Sequence, residues 1–521
     1  MDVSSFASSS RSRVAHALAR RLQPPAFLLA TLLLASCAVG PNFQKPAAPD
    51  ASGYTDHPLT GTVATAHVSG GQAQRFVTGS EIPGDWWTLF HSKPLNDLIE
   101  QSLRNNPDLK AAQAALTAAR ETALAQRGAY FPSVSAGVEA SRQKTPGSLA
   151  PVPSNNAVLY NLFTPEVSVS YVPDVFGLNR RTVESLQAQE QATRYQMIAA
   201  DITLSSNVVA AAIQEASLEA QLDATHQLVA INTKMVQTVQ YQFDKGYASR
   251  LDLAAQQSQL AQVTATLPPL VKQLAQQHDL IAVLAGQLPN QTAAETFDLS
   301  TLQLPTDLPV SLPSELVAQR PDVLQAEANM RSANALVGVA IANRLPNITL
   351  TANAGNTALA IGQTFGPGTS FWSLGAALTA PIFDGGKLLH TERAAKATYV
   401  QAAEQYRSAV LTAFQNVADT LAALEQDAEG LKAAAAAADA AKVTLDLSQR
   451  QLQVGYTNDL ALLSAEQAYQ QARITLVQAQ ANRFADTAAL FQALGGGWWQ
   501  RADLNDAKVK QADTNQDNNE K

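Results

Sequence analysis

Few residues in this chain are placed to make or break bonds. The seven histidines are scattered, and none falls in the His-Glu-x-x-His pattern that sets a catalytic zinc on one helix face. Gly385-Gly386-Lys387 has the glycines and lysine of a phosphate loop but lacks the rest of that motif. A single cysteine, Cys37, rules out an intrachain disulfide and the common cysteine-rich zinc sites. The other conspicuous charges are Arg250, Asp252 and Asp459, each just past a glycine turn. In a symmetric oligomer each becomes a ring of charges around a bore. In one chain an aspartate there caps a helix start, worth ~0.5–2 kcal/mol. The chain reads as no enzyme, with no cofactor and no metal site.

The thiol has another use. Arg11, Arg13, Arg20 and Arg21 precede the apolar run Ala26 to Leu34, too short to span a bilayer but suited to a secretory signal. The run ends Leu34-Ala35-Ser36-Cys37, which resembles a bacterial lipoprotein signal. Cleavage there would remove residues 1–36, free the Cys37 amine and let the thiol take a diacylglycerol. Two or three acyl chains, at ~0.8 kcal/mol per buried CH₂, anchor a chain stably. Ala38 is not the aspartate that, by resemblance to other lipoproteins, often holds them at the inner membrane. Residues 37–93 then read as lipid anchor and extended N-terminal segment.

The elements that position these residues are mostly helical. Only 15% of residues are charged, against roughly 25% in an ordinary soluble protein. The net charge of −8, with no dense basic patch, argues against nucleic acid as a partner. Leu178 to Lys245 and Lys387 to Val454 contain no proline and are rich in Ala, Gln, Leu and Glu. About 68 residues make a helix of roughly 100 Å. Leu218, Leu222, Thr225, Val229, Asn232, Val236, Val239 and Phe243 alternate spacings of four and three, a coiled-coil seam. Shorter helices are expected from Pro94 to Gly128 and from Arg250 to Gly286, the latter kinked or broken by Pro268-Pro269.

Four segments read differently. Ser133 to Ala140 and Glu166 to Tyr171 alternate polar and apolar with period two, as do Asn347 to Ala354 and Trp372 to Thr379. They pair as hairpins over 133–173 and 347–381. The order helix, hairpin, long helix, helix occurs twice, over 94–288 and 314–497, joined by a Pro-rich connector at 289–313 and ended by a polar tail at 498–521. Asn106-Pro107-Asp108 corresponds to Arg320-Pro321-Asp322, and Gly246-Tyr247 to Gly455-Tyr456. The chain is an internal duplication.

Each strand has the length that a tilted membrane-crossing strand needs. Four strands cannot close a transmembrane barrel, since single-chain barrels begin at about eight. An open edge in hydrocarbon leaves backbone groups unpaired at several kcal/mol each. The barrel must therefore be shared: a dimer gives eight strands, a trimer twelve with more lumen.

Four stretches carry a resemblance. They are Val39-Gly40-Pro41-Asn42-Phe43; Trp86-Trp87 with Leu95-Asn96-Asp97-Leu98-Ile99; Leu312-Pro313-Ser314-Glu315-Leu316 through Arg320-Pro321-Asp322; and Ala493-Leu494-Gly495-Gly496-Gly497-Trp498. Together and in order, from about Cys37 to Trp499, they resemble the TolC-like outer-membrane efflux family in its lipoprotein branch. The resemblance implies a mainly α fold with a transmembrane β-barrel: a homotrimer pooling four strands per protomer into twelve, continued by a periplasmic α-helical barrel. It implies an exit duct of a tripartite efflux system that passively conducts drugs or other small molecules outward. The partners it implies are a periplasmic adaptor (membrane fusion) protein, an inner-membrane RND-type transporter and outer-membrane lipid. Gly246, Tyr247, Ala248, Ser249, Gly455, Tyr456, Thr457 and Asn458 match the family's periplasmic tips, where adaptor hairpins dock. Related ducts often carry acidic residues at the constriction; here Thr457 stands where relatives can have aspartate, with Asp459 two residues on. The alternatives are a trimeric adhesin, a structural outer-membrane lipoprotein, and an exit duct for type I protein secretion.

Overall fold

The computed structural model describes residues 38–51, 53–57, 59–144, 159–290 and 297–504. The signal segment, the lipid site at Cys37 and the turn of the first hairpin lie outside the described residues. In chain order the elements are β1 (Arg75–Thr78), α1 (Lys93–Asn105), α2 (Pro107–Arg127), β2 (Ser133–Lys144), β3 (Leu159–Tyr171) and α3 (Leu178–Asp244). Then come α4 (Arg250–Ala265), α5 (Leu267–Leu284), β4 (Asp307–Val310), α6 (Pro313–Gln319), α7 (Pro321–Ala342), β5 (Asn347–Asn356), β6 (Ser370–Thr379), α8 (Lys387–Gln453) and α9 (Asp459–Ala493).

Two compact units are woven from these elements. The first holds residues 118–191 and 328–404 with the chain start to Lys45. Its centre is an antiparallel sheet in the order β2-β3-β5-β6, so the two hairpins pair with each other through β3 and β5. Each long helix leaves the sheet through an aspartate. Asp174 accepts the N–H groups of Asn179 and Arg180 at 3.0 and 2.8 Å. Asp384 accepts those of Gly386 and Leu388 at 2.9 and 2.8 Å. These carboxylates satisfy donors that a helix start leaves open.

The second unit holds residues 46–117, 192–327 and 405–521. Its core is aromatic: Trp86 stacks on Phe491 at 5.2 Å between centroids, and Phe90 packs on Phe484. These four rings are essentially out of solvent, and each ring buried contributes on the order of the 1.5–3 kcal/mol expected for a large apolar side chain. A two-stranded parallel sheet joins β1 to β4.

Several expectations need correction. Residues 94–128 form two helices rather than one. Asn106 ends α1 and its Oδ1 accepts the N–H of Asp108 and Leu109, starting α2 at Pro107, where a missing N–H costs nothing. Pro321 starts α7 in the same way. The break expected at Pro268-Pro269 lies at Thr266, because those prolines fit the first turn of α5. The seam on α3 keeps Leu218, Thr225, Asn232 and Val239, but its alternate members are Gln221, Leu228 and Met235. Leu222, Val229 and Val236 are only half-buried, and Phe243 is exposed. Both the N-terminal extended segment and the connector contain a strand. The segment expected as a polar tail is packed as far as Leu504: Trp498 is buried and donates Nε1–H to the Gln319 carbonyl at 2.7 Å.

Candidate functional site

The hairpin sheet sorts its side chains by chemistry. Residues directly opposite in antiparallel strands share a face. One row across all four strands reads Val134, Val169, Ala352, Leu374; the next reads Ala136, Val167, Ala354, Trp372. The other face carries Ser135, Ser168, Asn353, Ser373 and then Ser133, Ser170, Thr351, Gly375. The polar rows bond across strands, with Ser135 and Ser168 hydroxyls 2.8 Å apart and Asn353 Nδ2 donating to Ser373 Oγ at 3.2 Å. Among the described residues nothing covers the apolar rows: Val134 is 68% exposed, and Trp372 and Leu374 are each 75% exposed. A soluble sheet of this kind buries such a face against a second layer. Lipid on one side and water on the other satisfy it directly. Among the described residues, β2 and β6 are edge strands, each paired on one side only.

At the far ends of the long helices are two turns built alike. After α3, Gly246 N–H donates to Phe243 O at 2.9 Å and Tyr247 N–H to Gln242 O at 2.7 Å. After α8, Gly455 N–H donates to Leu452 O at 3.1 Å and Tyr456 N–H to Gln451 O at 2.9 Å. Both are Schellman motifs, and both glycines sit at φ +78°, which a side chain resists. The next helix is capped by Ser249 or Asn458, whose side-chain oxygens accept the N–H of Asp252 at 3.1 Å and of Ala461 at 3.0 Å. Tyr247 and Tyr456 stand outward, 84% and 86% exposed. Just behind the tips, Ile231, Met235 and Leu463 form an apolar cluster with Leu460 against it, tying α3 to α9.

The three candidate gate charges divide. Asp252 is part of a capping box, accepting the N–H and hydroxyl of Ser249 at 2.9 and 2.7 Å, which holds its carboxyl below the usual range. It does local structural work. Arg250 and Asp459 are exposed, and no ion pair ties them within the described residues of the chain.

Other charges are placed where no sequence pattern pointed. Arg501 reaches Asp201 on α3 at 2.5 Å, both mostly buried, and binds Asp503 at 2.7 Å. Burial pushes Asp201 up to about 6 against the pull of Arg501. Arg483 on α9 is fully buried; one nitrogen donates to Thr62 Oγ1 and the Gln72 carbonyl at 2.9 and 2.7 Å, pinning the N-terminal segment. Apart from Asp503, these partners lie hundreds of positions apart, beyond any local motif.

The family profile described as Outer membrane efflux protein matches residues 98–287 and again 312–496. The chain is 28% identical over 473 residues to the probable efflux pump outer membrane protein TtgC of Pseudomonas putida, covering 90% of this chain and 94% of that one. It is 29% identical to outer membrane protein OprJ of Pseudomonas aeruginosa, over 92% and 97% of the two chains. Among solved structures, the outer-membrane channel OprN superposes with a TM-score of 0.76 at 26% identity, covering 89% of this chain and all of that one.

Proposed function

Because the chain belongs to the outer membrane efflux protein family, we propose that three copies of it form the exit duct of a tripartite efflux pump. Its relatives are channel proteins of the outer membrane rather than enzymes, and it is an outer-membrane efflux protein like them. The observation that carries the trimer is the exposed apolar face on a sheet with two open edges. Three such sheets give twelve strands, leave no unpaired edge in hydrocarbon and keep the serine- and asparagine-rich face inward around water. The long helices continue the tube through the periplasm. A lipid on Cys37 adds an anchor to the same membrane.

In this reading the duct is passive. An inner-membrane RND-type transporter supplies the work, and an adaptor protein seats on the glycine-tyrosine turns at 246–249 and 455–458. Two exposed tyrosines on rigid turns suit docking, since tyrosine offers contact area at little entropy. Drugs or other small molecules are the cargo; no side-chain constellation of the duct acts on them chemically.

The test is light scattering of the detergent-solubilised protein with conductance across a planar bilayer. Three chain masses and a cation-permeable pore are expected. A monodisperse monomer or dimer, or a trimer that conducts nothing even with its tips opened by mutation, overturns the reading.

A further inference from the structure

We propose that Glu215, Glu219 and His278 form a binding site for a divalent transition-metal ion of the zinc class, bridging α3 and α5. Glu215 and Glu219 are one turn apart on α3 and so share a face. His278 approaches from α5, its Nε2 3.0 Å from Glu215 Oε1. One ligand atom from each of the three residues lies within 4.8 Å of the others. A tetrahedral ion with bonds of about 2.0–2.2 Å to nitrogen and oxygen sets its ligand atoms roughly 3.5 Å apart, so the three residues would draw closer on binding it.

The second observation concerns Glu215 alone. Its side chain is 1% exposed, and although the Phe297 backbone lies close to the carboxylate, Oε2 is buried without a hydrogen bond of ordinary geometry. A buried acceptor left unmade is expensive, and more so on a carboxylate. The neighbouring Glu219 adds like-charge repulsion across one helical turn. A dication relieves both penalties at once, and one imidazole nitrogen with carboxylate oxygens is the donor set that zinc accepts. The absence of a thiolate disfavours copper(I), and the imidazole disfavours magnesium and calcium. His278 keeps 37% of its side chain exposed, which leaves the ion a way in and a fourth position for water. The bound ion would clamp α3 to α5 about 30 residues, or some 45 Å, from the tip of α3.

The test uses full-length, untagged, chelator-stripped trimer in detergent, titrated with Zn²⁺ and separately with Co²⁺. One ion per protomer is expected, with the visible absorption of low-symmetry Co²⁺. Glu215→Gln and His278→Asn should each weaken Zn²⁺ binding at least tenfold, whereas His226→Asn, an exposed histidine on the same helix, should not. If a variant fails to assemble, zinc-edge X-ray absorption on the parent decides, since the site predicts one imidazole among oxygens. Substoichiometric binding, a shell of several imidazoles, or variants that bind like the parent would mean an adventitious ion only and overturn the site.

Discussion

Arginine at position 374 puts the membrane reading at most risk. Leu374 is the fifth of ten residues in β6, lies opposite Ala352 and is 75% exposed on the apolar face. At the midplane of a transmembrane barrel, arginine on the lipid face costs ~2–4 kcal/mol per copy, falling to ~0–1 near the interfaces. Three copies give ~6–12 kcal/mol per trimer, comparable with the ~5–15 kcal/mol that stabilises a whole domain. Ser373 is one residue away but points to the other face, beside Asn353. An arginine there stays in water, at the ~0.5 kcal/mol scale of an ordinary surface change. Leu378, the ninth residue of the strand, lies on the lipid face near its end and should be intermediate. Leu374→Arg should therefore abolish trimer recovery from the outer membrane, Leu378→Arg should reduce it, and Ser373→Arg should leave it intact. Urea unfolding from vesicles should place the three midpoints in the same order. Equal damage at 373 and 374 would refute the two-faced sheet, and greater damage at 373 would invert it.

Mass spectrometry of the mature N-terminus should find an acylated Cys37; an unprocessed or unmodified cysteine would remove the lipid anchor. Arg501→Leu leaves Asp201 as a buried unpaired charge and should cost ~3–5 kcal/mol, read as a lowered Tm. Asp201 titrates higher folded than unfolded, so its contribution to stability falls as pH rises from near 4 to about 6. Without Arg501, which pulls that value down, the decline should extend to higher pH; unchanged Tm–pH curves would show that the pair is inert. Arg250→Ala or Asp459→Ala should raise single-channel conductance without loss of trimer. If both conduct like the parent at low and high salt, these charges are not part of the gate.

Long elements were legible because their patterns repeat. The alternation in Ser133–Ala140 matches a strand that runs on to Lys144, and the proline-free runs match helices within a residue at each end. The seam on α3 was half legible. Leu218, Thr225, Asn232 and Val239 recur every seven residues, but a heptad admits its second residue either three or four positions on. Which one is buried depends on what packs there, and the sequence holds no trace of that. The strands Arg75–Thr78 and Asp307–Val310 are four residues each, too short for a period to register, and Pro309 argues against a strand except at an edge. The Arg501–Asp201 pair and the Glu215–His278 contact are set by the crossing of distant helices. Glu215 and Glu219 at one-turn spacing were visible, but such pairs are common on solvated helix faces and gave no reason to look for a histidine 63 positions away.

Duplication explains why the two tips share a backbone and differ in chemistry. The Schellman turn and its following cap are set by glycine and by a short polar side chain, and both copies keep them: Gly246 with Ser249, Gly455 with Asn458. The first tip places Arg250 after its cap and holds Asp252 inside a capping box; the second presents Asp459 unpaired directly after Asn458. In a closed ring of three chains there would be six tips, three carrying the exposed Arg250 beside Asp252 and three the exposed Asp459. A partner reading this end would meet two kinds of site with one geometry, set by the same glycine-tyrosine turn and separated by charge. If Arg250 of one tip faced Asp459 of its neighbour, each such exposed pair would be worth at most ~1 kcal/mol. Contacts that weak would suit a gate that a docking partner opens, since the partner need offset only a few of them.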